Sequence, residues 1–338
     1  MNTNKRKLVS FLFLTSFIVW IISVSFTGFY VSNNVSNLQK VDDFCIREDL
    51  FLETELGIKI GATIFYPKIL NDSNPAVIIQ HGLGGRRENM MGFALTFVNR
   101  GFVAVTCDLR GHGQSTGANT FGAKESDDLI YVMNWLKTNI TGSSIGGKTV
   151  IISEIGLLGH SLGALTVTLA SYKSGVNSCV ALAPPAIIGK LLDEMDKPDF
   201  KTLNNLLTTQ MVISQEWIDS INLHNWSAGS PAPKNYLAIT SDLDTTVPPN
   251  GVYNYFKELV QIDNPEQFTT YGSFSNQTAL QFNNYTGKDH NDQQYVQLNG
   301  NITKDSILWT EKALGISNSD EVEIPEIAKT FHDNYDNR

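Results

Sequence analysis

Ile155-Gly156-Leu157-Leu158-Gly159-His160-Ser161-Leu162-Gly163-Ala164 is the stretch whose reading decides how this chain folds. Ile155 to Leu158 is a short apolar run that ends in a strand, and Ala164 to Lys173 has the look of a helix. A Gly-x-Ser-x-Gly pentapeptide between a strand and a helix puts its serine on a sharp turn. The hydroxyl is then lifted clear of the backbone at the helix N-terminus. The flanking glycines have a steric reason, because such a turn presses backbone against backbone and leaves no room for a Cβ.

Working outward, the same alternation recurs. Ala76 to Ile79 is a continuous apolar run ending at Gln80-His81-Gly82. Phe102 to Thr106, Cys179 to Leu182 and Tyr236 to Thr240 read likewise, as strands buried on both faces of a parallel sheet. Helical spacing occupies Asn89 to Asn99, Asp127 to Lys137 and Val252 to Val260. Leu50 to Tyr66 reads as a hairpin turning at Glu55-Leu56-Gly57. Strands alternating with helices predict a mostly parallel sheet flanked by helices, with the domain running from 45 to 315. The segment at about 186–234 is rich in Ile, Leu and Met at helical spacing and predicts an inserted helical cap. Residues 316–338 are acidic and polar and read as a loose C-terminal tail.

The chain has 338 residues, 42% hydrophobic and 17% charged, with a net charge of -9. An acidic chain without a basic stripe argues against a nucleic-acid partner. Cys45, Cys107 and Cys179 are too few for a disulfide framework, and Cys107 and Cys179 lie in strand-like runs as buried small hydrophobes. No Cys/His cluster has metal-ligand spacing and no Gly-rich phosphate motif occurs, so neither metal nor cofactor is expected.

Ahead of the domain, Lys5-Arg6-Lys7 precedes a mostly apolar stretch over 8–31. As a helix, a stretch of about 24 residues rises roughly 36 Å, enough to cross a bilayer. The basic cluster on its N-terminal side predicts residues 1–7 in the cytoplasm and the body outside, behind a tether over 32–44. The alternative is a secretory signal peptide cleaved near Ser23-Val24-Ser25. Under either reading the body is exported, and the several Asn-x-Ser/Thr sequons become possible glycan acceptors.

A nucleophilic serine needs a base to take its proton, a carboxylate to orient the base, and N–H donors for the developing oxyanion. Asp242 and Asp244 both lie in the loop after the strand Tyr236 to Thr240. His290 lies downstream, after a strand-like run at Gln267 to Tyr271. The glycine-rich loop His81-Gly82-Leu83-Gly84-Gly85 follows another strand and can turn an N–H inward. Leu83 and Leu162 are the candidate donors, the latter at a helix N-terminus.

With these residues assembled, the chain resembles the α/β-hydrolase superfamily from about Leu50 to Gly315. The resemblance rests on the His81-Gly82 loop, the Ser161 elbow, the Asp244 loop, His290, and Asp108-Leu109-Arg110-Gly111-His112-Gly113-Gln114-Ser115. It selects Asp244 through its Asp-x-x-Val-Pro spacing and matches the chain order Ser, Asp, His. It implies that Asp108, Arg110 and His112 shape the wall of the site. The stretch between Asp244 and His290 is longer than usual in the family, with the surplus placed at Gly272 to Gly287. The implied activity is acyl transfer by Ser161, His290 and Asp244, with a small-molecule carboxylic ester as substrate. A peptidase, thioesterase or lipase of the same fold is the alternative, and a non-catalytic binding protein is a remote one. The oligomeric state is left open.

Overall fold

The computed structural model describes residues 38–54, 57–186, 219–223, 225–226, 233–260, 268–271, 279–318 and 321–330. The apolar segment 8–31 and most of the expected cap lie outside these. Among the described residues, no helix is long and apolar enough to cross a membrane. The chain divides into two units, 1–44 and 45–338. In the first, residues 38–44, expected as tether, are helical, and Gln39 donates to Asp43 one turn on at 3.4 Å.

The second unit is built on a nine-stranded sheet. β1 (Ile46–Glu53) and β2 (Lys59–Tyr66) form the expected antiparallel hairpin. β3 (Asn74–Gln80) and β4 (Val103–Cys107) follow, then a separate two-stranded ribbon of β5 (Ser144–Ile145) and β6 (Lys148–Thr149). β7 (Ile152–His160), β8 (Ser178–Leu182), β9 (Tyr236–Ser241), β10 (Phe268–Tyr271) and β11 (Leu280–Tyr285) complete the sheet. Its order is β1-β2-β4-β3-β7-β8-β9-β11-β10. The run from β4 through β3, β7, β8 and β9 to β11 is parallel, and β1, β2 and β10 are antiparallel at the two edges. Strand order reverses between β3 and β7, so their C-terminal ends border the crevice where open α/β sheets bind ligands.

Both faces of the sheet are covered. On one, Ile78, Val105, Leu157 and Tyr236 join an apolar layer with Leu129, Leu165 and Tyr255. Those three come from α2 (Ala123–Trp135), α3 (Leu162–Ser174) and α4 (Pro249–Val260). On the other, Val77, Ile79 and Leu158 are equally buried, beneath α1 (Met91–Asn99) and α5 (Gly300–Ala313). This two-sided burial is why the central strands read as continuous apolar runs rather than alternating ones. All three cysteines are buried, and burial pushes the Cys179 thiol up to about 12.

Two expectations need correction. The strand that leads to His290 is β11, not the run at Gln267 to Tyr271; the latter contributes the antiparallel edge strand β10. β11 lies inside the stretch expected as surplus. Its sequence, Leu-Gln-Phe-Asn-Asn-Tyr, hides it, because two asparagines depress any strand signal. Asn283 is nonetheless fully buried and donates to Asp305 of α5 at 3.0 Å. Nor is the C-terminal stretch wholly loose. α6 (Glu326–Lys329) buries Ala328 against α1, where a Cβ on Gly92 would come within 3.1 Å of the Ala328 carbonyl. Arg100 locks this corner. Its guanidinium donates twice to Glu311 at 2.8 Å and once to the Glu321 carbonyl at 2.9 Å.

Candidate active site

Ser161 sits between the end of β7 and the first residue of α3 with φ 53° and ψ -120°. A non-glycine residue in this region carries backbone strain of about 1–3 kcal/mol. The surroundings hold it there. Its N–H donates to Leu182 O at 2.8 Å, and its carbonyl accepts from Leu165 N–H at 3.0 Å. The flanking glycines are as crowded as expected. A Cβ on Gly159 would lie 2.2 Å from Gly163 O, and one on Gly163 would lie 2.5 Å from the carbonyls of Gln80 and His81.

The sheet brings the other candidates to the same edge. His290 Nδ1 lies 2.8 Å from Asp244 Oδ2, and His290 Nε2 lies 2.8 Å from Ser161 Oγ. An ionised carboxylate only accepts, so the proton sits on Nδ1 and Nε2 is left to accept from the serine hydroxyl. Asp244 is fully held. Its Oδ1 accepts from Thr246 N–H at 3.0 Å and Val247 N–H at 2.8 Å, and its Oδ2 also accepts from Gln293 Nε2 at 2.9 Å. Asp242, the competing carboxylate, instead accepts from Gly287 N–H at 2.7 Å and braces the loop leading to His290.

The glycine-rich loop packs directly against the elbow. A Cβ on Gly82 would lie 3.1 Å from Ser161 Cβ. His81 is buried with both ring nitrogens engaged. Leu109 N–H donates to Nε2 at 3.0 Å, so Nδ1 carries the proton and donates to Gly82 O at 2.7 Å. Gly85 N–H reaches the same carbonyl at 3.1 Å. In a trans peptide the C=O and the following N–H point in opposite directions. Pinning Gly82 O therefore sets the direction of the Leu83 N–H. Leu162 opens α3, so its N–H has no partner one turn back in the helix. Burial pushes His81 down to about 4, which keeps it neutral in this role.

The Asp108–Ser115 loop supports this arrangement from behind. Asp108 accepts from Arg87 Nη1 at 2.6 Å, Arg87 N–H at 2.7 Å and Gln114 N–H at 2.9 Å. Arg110 forms a two-pronged ion pair with Asp128 at 2.6 and 2.7 Å. The His112 ring lies 5.3 Å from that of His81. Among the described residues, none of the three hydrogen-bonds to Ser161, Asp244 or His290. Two neighbours of the site were not singled out from the sequence. Gln293 belongs to a polar run, Asn291-Asp292-Gln293-Gln294, that reads as surface yet is buried against Asp244. His160 reads as the variable position of the pentapeptide, yet its Nε2 lies 2.8 Å from the His290 carbonyl. Among the described residues no group of His, Cys, Asp and Glu could hold a metal ion.

Known proteins align with this architecture. A family model described as X-Pro dipeptidyl-peptidase (S15 family) matches residues 56–277. An uncharacterized 31.7 kDa protein of Escherichia coli, from the traX-finO intergenic region, is 31% identical over 113 residues, 32% of this chain and 37% of that protein. The uncharacterized protein YqkD of Bacillus subtilis (strain 168) is 32% identical over 126 residues, 36% of this chain and 38% of that protein. The chain thus spans less than two fifths of the length of the curated relatives it matches. Among solved structures, the esterase Pf2001 of Pyrococcus furiosus superposes with TM-score 0.59 at 19% identity, over 82% of this chain and 95% of that one. Est1E of Butyrivibrio proteoclasticus gives 0.55 at 16%, over 79% and 99%. These structural likenesses show a shared fold.

Proposed function

The chain belongs to the X-Pro dipeptidyl-peptidase (S15) family, within the α/β-hydrolase superfamily, and we propose that it is a serine hydrolase that cleaves carboxylic esters. The observation that carries this reading is the unbroken line Asp244–His290–Ser161, with both links at 2.8 Å. Ser161 Oγ attacks the acyl carbonyl carbon as its proton passes to His290 Nε2. Asp244 holds the Nδ1–H tautomer and stabilises the imidazolium. The Leu83 and Leu162 N–H groups receive the oxyanion. Collapse of the tetrahedral intermediate expels the alcohol, which takes its proton from His290. Water then repeats the sequence on the acyl-enzyme and releases the acid. Losing one such oxyanion donor costs about 3 kcal/mol of transition-state stabilisation. Support for an apolar acyl group comes from Leu83 and Leu243, 37% and 55% exposed on the loops that bear the donor and Asp244. Pf2001, named as an esterase, is consistent with this.

The family match favours a second reading, cleavage of a peptide bond after an Xaa-Pro dipeptide. The same triad would serve, with an amine as leaving group. A panel of p-nitrophenyl esters of rising acyl length, run beside Xaa-Pro p-nitroanilides, decides between them. The ester reading expects kcat/KM for the best ester at least tenfold above that for any anilide. Faster anilide turnover overturns it.

The segment 8–31 is proposed as a single membrane-spanning anchor that leaves the catalytic unit outside the cytoplasm, on the apolar length and the preceding Lys5-Arg6-Lys7. Protease added to intact cells is expected to digest the body. Full protection until the cells are lysed would overturn this placement.

A further inference from the structure

The sheet order places β8 and β9 between β7, which ends one residue before Ser161, and β11, which leads to His290. The base must therefore reach across two strands to meet the nucleophile. At its root the loop is tied to the end of β9, by Gly287 N–H to Asp242 Oδ1 at 2.7 Å and Lys288 N–H to Ser241 Oγ at 3.2 Å. At its tip the His290 backbone meets His160, the last residue of β7. His160 Nε2 lies 2.8 Å from the His290 carbonyl, and their rings are 4.8 Å apart, tilted by 44°. A carbonyl only accepts, so the His160 proton sits on Nε2. Its other nitrogen, Nδ1, is buried without a hydrogen-bond partner and faces Gly82, where an added Cβ would lie 3.1 Å away.

We propose that His160 is a positioning residue: its Nε2–H grips the His290 backbone carbonyl and sets the height of the base over Ser161. This deepens the acyl-transfer reading and rests on it. An imidazole that leaves one nitrogen unsatisfied in the interior is a poor choice for packing alone, since a buried acceptor without a donor lowers stability. What distinguishes it from an apolar residue here is the one N–H it gives to the base. The ring also lies between the Gly82 loop and His290, so one side chain ties the oxyanion loop, the nucleophile strand and the base together. Burial, reinforced by the neighbouring His290, holds His160 well below the ordinary histidine range, so it remains a neutral donor.

The test compares three variants of the full chain. His160→Phe keeps the ring and removes the donor. His160→Gln can place an amide nitrogen where Nε2 stood, whereas His160→Asn places its nitrogen near Nδ1, short of the carbonyl. Each is measured for phosphonylation rate with a fluorophosphonate probe and for kcat and KM on p-nitrophenyl butyrate. Because a base displaced by about 1 Å can cost on the order of 100-fold, His160→Phe is expected to lose 10- to 100-fold in kcat and in phosphonylation rate. KM should stay within about threefold, since no substrate contact is removed. His160→Gln should regain most of the loss and His160→Asn should not. His160→Phe within twofold of wild type overturns the proposal. So do equal rates for the Gln and Asn variants, which decide the matter even if the Phe variant does not fold. Wild-type labelling that survives Ser161→Ala would overturn the acyl-transfer reading itself, an outcome distinct from a loss confined to the His160 variants.

Discussion

Replacing Ser161 with Ala is expected to abolish fluorophosphonate labelling and to lower kcat on an ester substrate by on the order of 10⁶-fold. The size follows from the way the site is assembled. In the proposed mechanism every step taken by Asp244 and His290 depends on attack by Ser161 Oγ, 2.8 Å from His290 Nε2. Without that oxygen, both lose their purpose together. What remains is binding and whatever the backbone donors contribute to the direct attack of water. Stability should change little, because among the described residues the Ser161 hydroxyl hydrogen-bonds to His290 alone and alanine keeps the backbone of the turn. Intact-mass measurement after probe treatment, alongside thermal melting, checks both halves. A variant that keeps more than about 1% of wild-type kcat would remove Ser161 from the nucleophile's role.

Asp244→Asn is the second large effect, expected at about 10⁴-fold in kcat, the cost of the wrong histidine tautomer in a Ser-His-Asp site. The hydrogen bonds around Asp244 determine how the asparagine sits. Thr246 and Val247 N–H both point at Oδ1, so the amide oxygen must stay there. The amide nitrogen then falls at the Oδ2 position, facing His290 Nδ1. It can only donate, so the imidazole proton moves to Nε2 and points at Ser161 Oγ, where a base is needed. Gln293 would face the new amide donor with its own Nε2. Its Oε1 has no partner, so the side-chain amide can turn over and accept. The fold therefore tolerates the change while the chemistry does not. Melting within a few degrees of wild type, with phosphonylation slowed in step with kcat, is the expected pair of results. A loss below about tenfold would show that Asp244 does not orient the base.

Much of this was legible in the chain itself. The elbow, the glycine-rich loop and the Asp244 loop each follow a strand buried on both faces, and such strands announce themselves by unbroken apolar runs. Glycines at 159 and 163 carry their reason with them, because the turn leaves no space for a Cβ. β11 was not legible. Its inward residues include Asn283, which is acceptable in the core only because Asp305, 22 residues further on, receives its amide proton. Gln293 and the 321–330 stretch were hidden for the same reason. A polar residue reads as surface unless the partner that satisfies it is known, and those partners, Asp244 for Gln293 and Arg100 for the Glu321 carbonyl, are remote in sequence.

By itself, then, the sequence determined the fold class, through buried strands alternating with helices, and, through the Gly159–Gly163 pentapeptide, the serine around which the proposed chemistry is built. Local sterics and hydrophobic periodicity act over a few residues and leave their mark in the order of the chain. The choice of Asp244 over Asp242 was first made by resemblance. Only the tertiary structure supplied its physical basis, the pinning of the Gly82 peptide by His81 and the grip of His160 on the base. They rest on hydrogen bonds between groups 28 to 130 residues apart, from Leu109 N–H on His81 to His160 on the His290 carbonyl, and their direction depends on strand order and register rather than on sequence neighbours.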